Sequence, residues 1–280
     1  MKKNFFSIIG GVILVCFSFY YTDLATTIIK ENDPIMKEIK RVGDYYKEES
    51  VNAVIDENTI IPGISGLEVN IEKTYSSMKR YGTFNDNLVV FEEVLPVITI
   101  SNIYNKYINI GNSSKNMVSL VFVIEDYSYI TEIINVLDSK SVKATFFINS
   151  RIIDESLDLI RLIIKSNHKV ELYSGVYSTY NLKKYNKIIS KHTKKDIKYC
   201  FIEKENIEVL NNCSNLGMYT IIPSINAVKF PYDEVKKNLE SGSIIRLNNN
   251  LYTLKELKYI INYINQKGID IVTLDELLKE

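Results

Sequence analysis

The sequence carries no excess of either charge: Lys plus Arg and Asp plus Glu number 34 each in 280 residues. Such a balance sets up no field to gather a polyanion, so no nucleic acid is expected as a partner. Imidazole and thiol ligands are scarce. There are two histidines, His168 and His192, and the three cysteines, Cys16, Cys200 and Cys213, show neither CxxC nor Cys/His spacing. That argues against zinc-thiolate chemistry. Cys200 and Cys213 fit either a disulfide in an exported protein or two buried free thiols, because sequence sets no distance between them. What is plentiful is apolar: 46% of the residues, enough to build the core of one large domain or two smaller ones.

Lys2 and Lys3 precede a run from Phe5 to Tyr21 broken by nothing more polar than Ser7 and Ser18, with Tyr20 and Tyr21 placed for an interfacial belt. At roughly 1.5 Å per residue, this run nearly crosses a bilayer core, and the lysines would hold its start in the cytoplasm. Residues 1–29 are expected to be an N-terminal membrane anchor or signal segment that places the rest outside the cytoplasm. Small residues are poorly placed for cleavage around Thr22 to Thr27, and Val15 before Cys16 is too bulky for a lipoprotein site, which favours an uncleaved anchor. If cleaved, the protein would be secreted. Residues 30–60 interleave Lys37, Glu38, Lys40, Arg41, Lys47, Glu48 and Glu49 and are expected to form a solvated stalk. Residues 61–115 suggest a small α/β lead-in module. Asn70 caps a helix through Tyr81, Gly82 ends it, and strands follow at Leu88–Phe91, Val97–Ile100 and Tyr107–Ile110.

From Val118 the pattern becomes regular. Apolar strands are expected at 118–124, 142–148, 168–172, 198–202, 219–222, 243–247 and 270–273. Amphipathic segments separate them near 130–140, 152–165, 182–191, 206–216, 233–239 and 254–266. Alternation of this kind builds a parallel sheet with helices outside it, as an open doubly wound sheet or a small barrel, with sites where the strands end.

Residues 116–280 resemble the polysaccharide deacetylase family, the carbohydrate esterase group with the NodB-homology domain. Val118-Ser119-Leu120-Val121-Phe122 matches its first strand, which usually continues Asp-Asp-Gly. Lys143-Ala144-Thr145-Phe146-Phe147-Ile148 matches its second strand, and Asn167-His168-Lys169-Val170-Glu171 follows its third. Gly242 to Leu247 resembles the strand that normally ends in Leu-His, and Lys267 to Leu278 resembles the closing signature. The resemblance implies an α/β fold, a distorted (β/α)7 barrel. In active members it implies a metal held by one Asp and two His, a second Asp as base and a late His as acid. A divalent ion there polarises the acetamide carbonyl and its bound water, while base and acid move the protons.

In the aligned register the paired aspartates fall on Val123 and Ile124, the metal histidines on Tyr173 and Tyr177, and the acid on Asn248. Sliding the first motif by two positions preserves its face and brings up Glu125 and Asp126 as substitute carboxylates. Their plainer role is an acidic loop capping the next helix. Tyr173, Tyr177 and Asn248 remain as candidate substrate-binding residues, the tyrosines able to stack a sugar or fill the vacated space. Three functions follow. The first is a membrane-anchored, inactive, deacetylase-like protein binding cell-wall or other envelope glycan, with no cofactor. The second is an active deacetylase using zinc or cobalt in a rearranged site. The third is a structural interaction scaffold.

Overall fold

The computed structural model describes the backbone of residues 2–173 and 177–280, and their side chains from residue 11 onward. Two compact units are present: residues 1–50 with 65–95, and residues 51–64 with 96–280.

The first unit begins with α1 (Lys2–Asn32), in which Gly11–Asn32 is 22 residues long and contains an 18-residue stretch of mean hydropathy 1.7, long and apolar enough to cross a membrane. α2 (Pro34–Tyr45) follows, with Pro34 at its first position and the Asp33 side chain accepting the Ile35 N–H. These residues were expected in a solvated stalk. Instead Ile35, Met36 and Ile39 share one face and pack with Val69, Tyr75 and Met78. The charges occupy the outer face, so charge density concealed an amphipathic helix. β3 (Gly66–Val69), α3 (Ile71–Lys79) and β4 (Phe91–Val94) complete the unit, with β3 and β4 antiparallel and Asn70 capping α3 through the Lys73 N–H. The strand expected at 88–91 forms three residues later, after a 3-10 turn at Asp86–Leu88.

In the second unit β1 (Val54–Ile55) and β2 (Ile60–Ile61) form a short hairpin. The strand expected at 97–100 is irregular. Pro96 precedes it, and its polar groups go to the loop before β1: the Ile98 carbonyl accepts from Ala53 N–H and the Ile98 N–H donates to Asn52 Oδ1. β5 (Tyr107–Ile108) belongs with the larger fold, so the lead-in region divides near residue 95. After it come β6 (Met117–Ile124), α4 (Ile130–Ser139), β7 (Thr145–Asn149), α5 (Ser150–Glu155), α6 (Asp158–Lys165), β8 (Lys169–Tyr173) and α7 (Thr179–Thr193). The chain ends with β9 (Tyr199–Phe201), α8 (Ile207–Ser214), β10 (Tyr219–Ile221), β11 (Ile225–Asn226), α9 (Pro231–Asn238), β12 (Ile244–Asn248), α10 (Leu251–Gln266), β13 (Asp270–Val272) and α11 (Leu274–Leu277).

The strands form two parallel sheets. One runs β11-β12-β6-β7-β8, with β13 beside the start of β6, and the other runs β5-β10-β9. Alternation along the strands divides the apolar residues into two sets. Leu120, Phe122, Ile124, Phe146 and Ile148 pack outward under helices that contribute Ile133, Leu137, Ile160, Leu257 and Ile261. Val121, Val123, Phe147, Phe201, Ile221, Ile244 and Ile108 form an inner core that both sheets share. At the strand starts this inner core is closed by Leu274, Leu277 and Leu278, and the Leu274 N–H donates to Thr145 Oγ1 at 3.0 Å. The strand ends lie on the opposite side of this core from those leucines. Close backbone approach explains one glycine: Gly242 has φ +91°, and a Cβ there would lie 2.4 Å from the Gly111 carbonyl oxygen.

Candidate ligand site at the strand ends

Counting along the inner face places the site. β6 presents Ser119, Val121 and Val123; β7 presents Thr145, Phe147 and Asn149; β8 presents Lys169, Glu171 and Tyr173; and β12 presents Ile244, Arg246 and Asn248. The register aligns them, pairing Asn248 with Val123, Val123 with Phe147, and Asn149 with Tyr173. β11 adds Asn226 opposite Arg246, and Glu203 follows the inward Phe201 of β9 by two residues.

Val123 and Ile124 are fully buried, one in the inner core and the other in the outer. Neither offers an oxygen. Tyr173 is half-buried against the inner core, its ring edge-on to Phe201 at 6.5 Å between centroids. Burial, and then the carboxylates of Glu125 and Glu203, push its hydroxyl above the usual phenol range, so it stays neutral. Asn248 Oδ1 is buried without a hydrogen-bond partner.

The cation of this layer belongs to the protein. Arg246 is 5% exposed, and its Nη1 lies 2.7 Å from Glu203 Oε1 and 3.3 Å from Asn226 Oδ1. Its Nε is buried without a partner. A divalent ion at the vacated position would need several oxygen or imidazole donors. It would find Val123, a neutral Tyr173, Asn248 and a buried guanidinium, with the Glu203 carboxylate already paired to that guanidinium. Among the described residues no three His, Cys, Asp or Glu side chains converge on a point that would hold a metal. The donor set does not fit the ion that the resemblance implies.

Tyr177 is not at the strand-end surface. It is 3% exposed, and its hydroxyl lies 3.0 Å from the Phe201 carbonyl oxygen and 3.2 Å from that of Leu172, while accepting the Phe201 N–H at 3.2 Å. The reason is a gap in the sheet. Among the described residues β8 and β9 share no ladder, which leaves the edge groups of β9 to be satisfied otherwise. Glu171 does this at the other end of the seam, its Oε2 accepting from Lys198 N–H at 2.9 Å and Tyr199 N–H at 3.2 Å. Tyr177 thus closes the fold and has no exposed ring face for a ligand.

The substitute carboxylates are engaged in turn chemistry. Asp126 Oδ1 accepts the Ser128 N–H at 2.7 Å and Asn249 Nδ2 at 2.8 Å. The Ser128 N–H is the main cause holding Asp126 below the usual carboxylate range. Asp126 therefore shapes the turn before α4. Glu125 stays solvent-exposed, its backbone carbonyl accepting from Arg151 Nη2 at 3.2 Å. His168 lies away from the strand ends. Its Nδ1 accepts the Ala144 N–H at 3.2 Å, and burial pushes its pKa down to about 4, so it is a neutral framework residue. Cys200 and Cys213 form a disulfide, which joins β9 to α8.

Arg246, Asn226 and the link to Glu203 are not among the residues expected from sequence. The signal was an arginine inside Ile244-Ile245-Arg246-Leu247, where a buried strand otherwise carries only apolar residues.

Comparison with known proteins agrees with this architecture. Residues 110–203 match the sequence profile of the polysaccharide deacetylase family. The Bacillus subtilis (strain 168) protein YlxY is 31% identical over 150 residues, a match spanning 53% of this chain and 47% of that protein, about half of each. BA3943 of Bacillus anthracis, described as a CE4 family pseudoenzyme, superposes with TM-score 0.69 at 24% identity, covering 89% of this chain and 96% of that one. Bacillus subtilis PdaA, described as a family 4 carbohydrate esterase, superposes with TM-score 0.53 at 18% identity, covering 82% and 97%. Residues 110–203 thus match the polysaccharide deacetylase family model, and the chain shares the fold of these carbohydrate esterase 4 structures, with Val123, Ile124, Tyr173, Tyr177 and Asn248 standing where the resemblance expects metal and catalytic residues.

Proposed function

We propose that the protein is a membrane-anchored, extracytoplasmic carbohydrate-binding pseudoenzyme of the cell envelope, held by α1 and facing a cell-wall or other envelope glycan with its strand ends. The observation carrying this reading is what stands at the aligned positions: Val123, Ile124, Tyr173, Tyr177 and Asn248 supply no carboxylate and no imidazole, and the carboxylate of Glu203 on that face is paired with Arg246 at 2.7 Å. What they do supply suits binding. Tyr173 offers a half-buried ring for stacking on a sugar face, and Asn248 Oδ1 offers an unused acceptor for a sugar hydroxyl. The likeness to a protein described as a CE4 family pseudoenzyme is in keeping with it. The reading in which Glu125 and Asp126 hold zinc or cobalt is weakened by the two hydrogen bonds that commit Asp126 to its turn. Binding to purified cell-wall polymer tests the proposal. Wild type is expected to be retained, and Tyr173→Ala to weaken retention roughly fivefold or more, as the loss of a stacking contact does. No retention on any envelope glycan would count against it.

A further inference from the structure

We propose that the strand-end site selects a saccharide bearing a carboxylate, with Arg246 as the recognising cation and Glu203 as a resident anion that the ligand displaces. The proposal rests on the carbohydrate-binding reading above and names its ligand class.

Burial of a guanidinium is costly unless the charge is matched. Nothing in the packing of β12 demands it at this position, where the layer beneath holds Ile244 and the register partner is Val121. The match Arg246 does find is lopsided. Its side chain is 6% exposed, whereas that of Glu203 is 46% exposed, so the cation forms the floor and its partner stands at the mouth. Glu203 lies in the short connection between β9 and α8, outside regular structure, where a side chain can swing away without breaking a ladder.

The pairing is also incomplete. A guanidinium has five donors in a planar fork that suits two carboxylate oxygens at once. Here one Glu203 oxygen meets Nη1, Asn226 Oδ1 sits at 3.3 Å from the same nitrogen, and Nε is buried and unpartnered. A ligand carboxylate that replaced Glu203 and engaged the Nε edge would complete the set. The ligand carboxylate would take the place of the Glu203 oxygen beside Arg246 while Glu203 turns to solvent, away from the Tyr173 hydroxyl on which it now acts. Asn248 Oδ1, two residues along the same face, accepts from a hydroxyl, and Tyr173 covers the ring. A neutral N-acetylated glycan has no anion with which to displace Glu203, and an anion such as chloride or sulfate has no hydroxyl for Asn248.

The test is calorimetric titration of the full chain in detergent micelles with two oligosaccharides of equal length, an oligogalacturonate and an N-acetylchitooligosaccharide. Wild type is expected to bind the acidic oligomer roughly tenfold or more tightly than the neutral one, the scale of a charge-assisted contact. Glu203→Gln is expected to tighten acidic binding several-fold, and Arg246→Met to remove the preference. Should Arg246→Met fail to fold, Arg246→Lys keeps the charge without the fork and is expected to lose most of the preference, while Glu203→Gln stands as a separate readout. Equal binding of the two oligomers, or no change in Glu203→Gln, overturns the proposal and leaves the carbohydrate-binding reading in place. If neither oligomer binds to wild type or to Glu203→Gln, both fall.

Discussion

The Tyr177 hydroxyl lies 3.0 Å from the Phe201 carbonyl oxygen and accepts that residue's N–H at 3.2 Å, so one phenol serves both backbone groups of a strand edge. In the aligned register this position would carry a metal-binding imidazole. In this chain the position instead closes the seam between β8 and β9.

Tyr177→Phe keeps the ring and removes that hydroxyl. Buried backbone groups that lose their partner cost about 1–3 kcal/mol. Urea denaturation is expected to show a loss of that size with an unchanged slope, and a loss below about 0.5 kcal/mol would remove the seam role.

Glu171 makes stability depend on pH. It is fully buried, facing Lys169 at 3.4 Å, Asp275 beyond it, and the N–H groups of Lys198 and Tyr199. Burial dominates and pushes its pKa up from 4.5 to about 7. Between those values the folded state holds more protons than the unfolded chain, so this group's contribution is present at low pH and lost as pH rises toward 7. His168 works in the opposite sense. Burial lowers its pKa from 6.5 to about 4, so its contribution is lost as pH falls through that window. The two partly cancel in the wild-type profile. The difference between wild type and Glu171→Gln isolates the first, and it is expected to favour wild type more at pH 5 than at pH 8. A difference that does not vary with pH would contradict the assignment.

The disulfide closes a short loop, with a sequence separation of 13 between Cys200 and Cys213. Loops of this length gain about 3 kcal/mol from cross-linking in the chain-entropy model. Thiol titration of the unreduced, denatured chain is expected to find one free thiol, that of Cys16, and the Cys200→Ala, Cys213→Ala double variant to melt at a lower temperature. Three free thiols would refute the pairing.

Asp126 is expected to behave as a turn residue. Asp126→Ala removes the acceptor used by Ser128 N–H and Asn249 Nδ2 and is expected to cost about 0.5–2 kcal/mol, the range of a lost cap. Asp126→Asn retains an acceptor oxygen and is expected to cost less. Neither is expected to alter any response of the melting temperature to added zinc.

Sequence pattern revealed the repeating α/β architecture because β6 and β7 consist of buried apolar residues whose partners are also apolar. What it concealed depended on groups distant in the chain. The seam joins Glu171 to Lys198 and Tyr199, and Tyr177 to Phe201, and nothing at Tyr177 alone distinguishes a ring facing a cleft from one satisfying a strand edge. In 30–60, charged residues outnumbered the three apolar ones that matter, Ile35, Met36 and Ile39, so an amphipathic helix read as a stalk. Arg246 was visible but was read as part of a matching strand; only its burial and its contact with Glu203 distinguish it.

On the proposed reading the strand ends bind a glycan and do not deacetylate it. The most direct measurement is acetate release by the full chain from acetylated chitooligosaccharide and peptidoglycan, with zinc, cobalt or manganese added, alongside the metal content of the purified protein. No acetate above the protein-free blank and no stoichiometric metal are expected. Acetate release that Asp126→Asn abolishes, or one tightly held ion per chain, would contradict it.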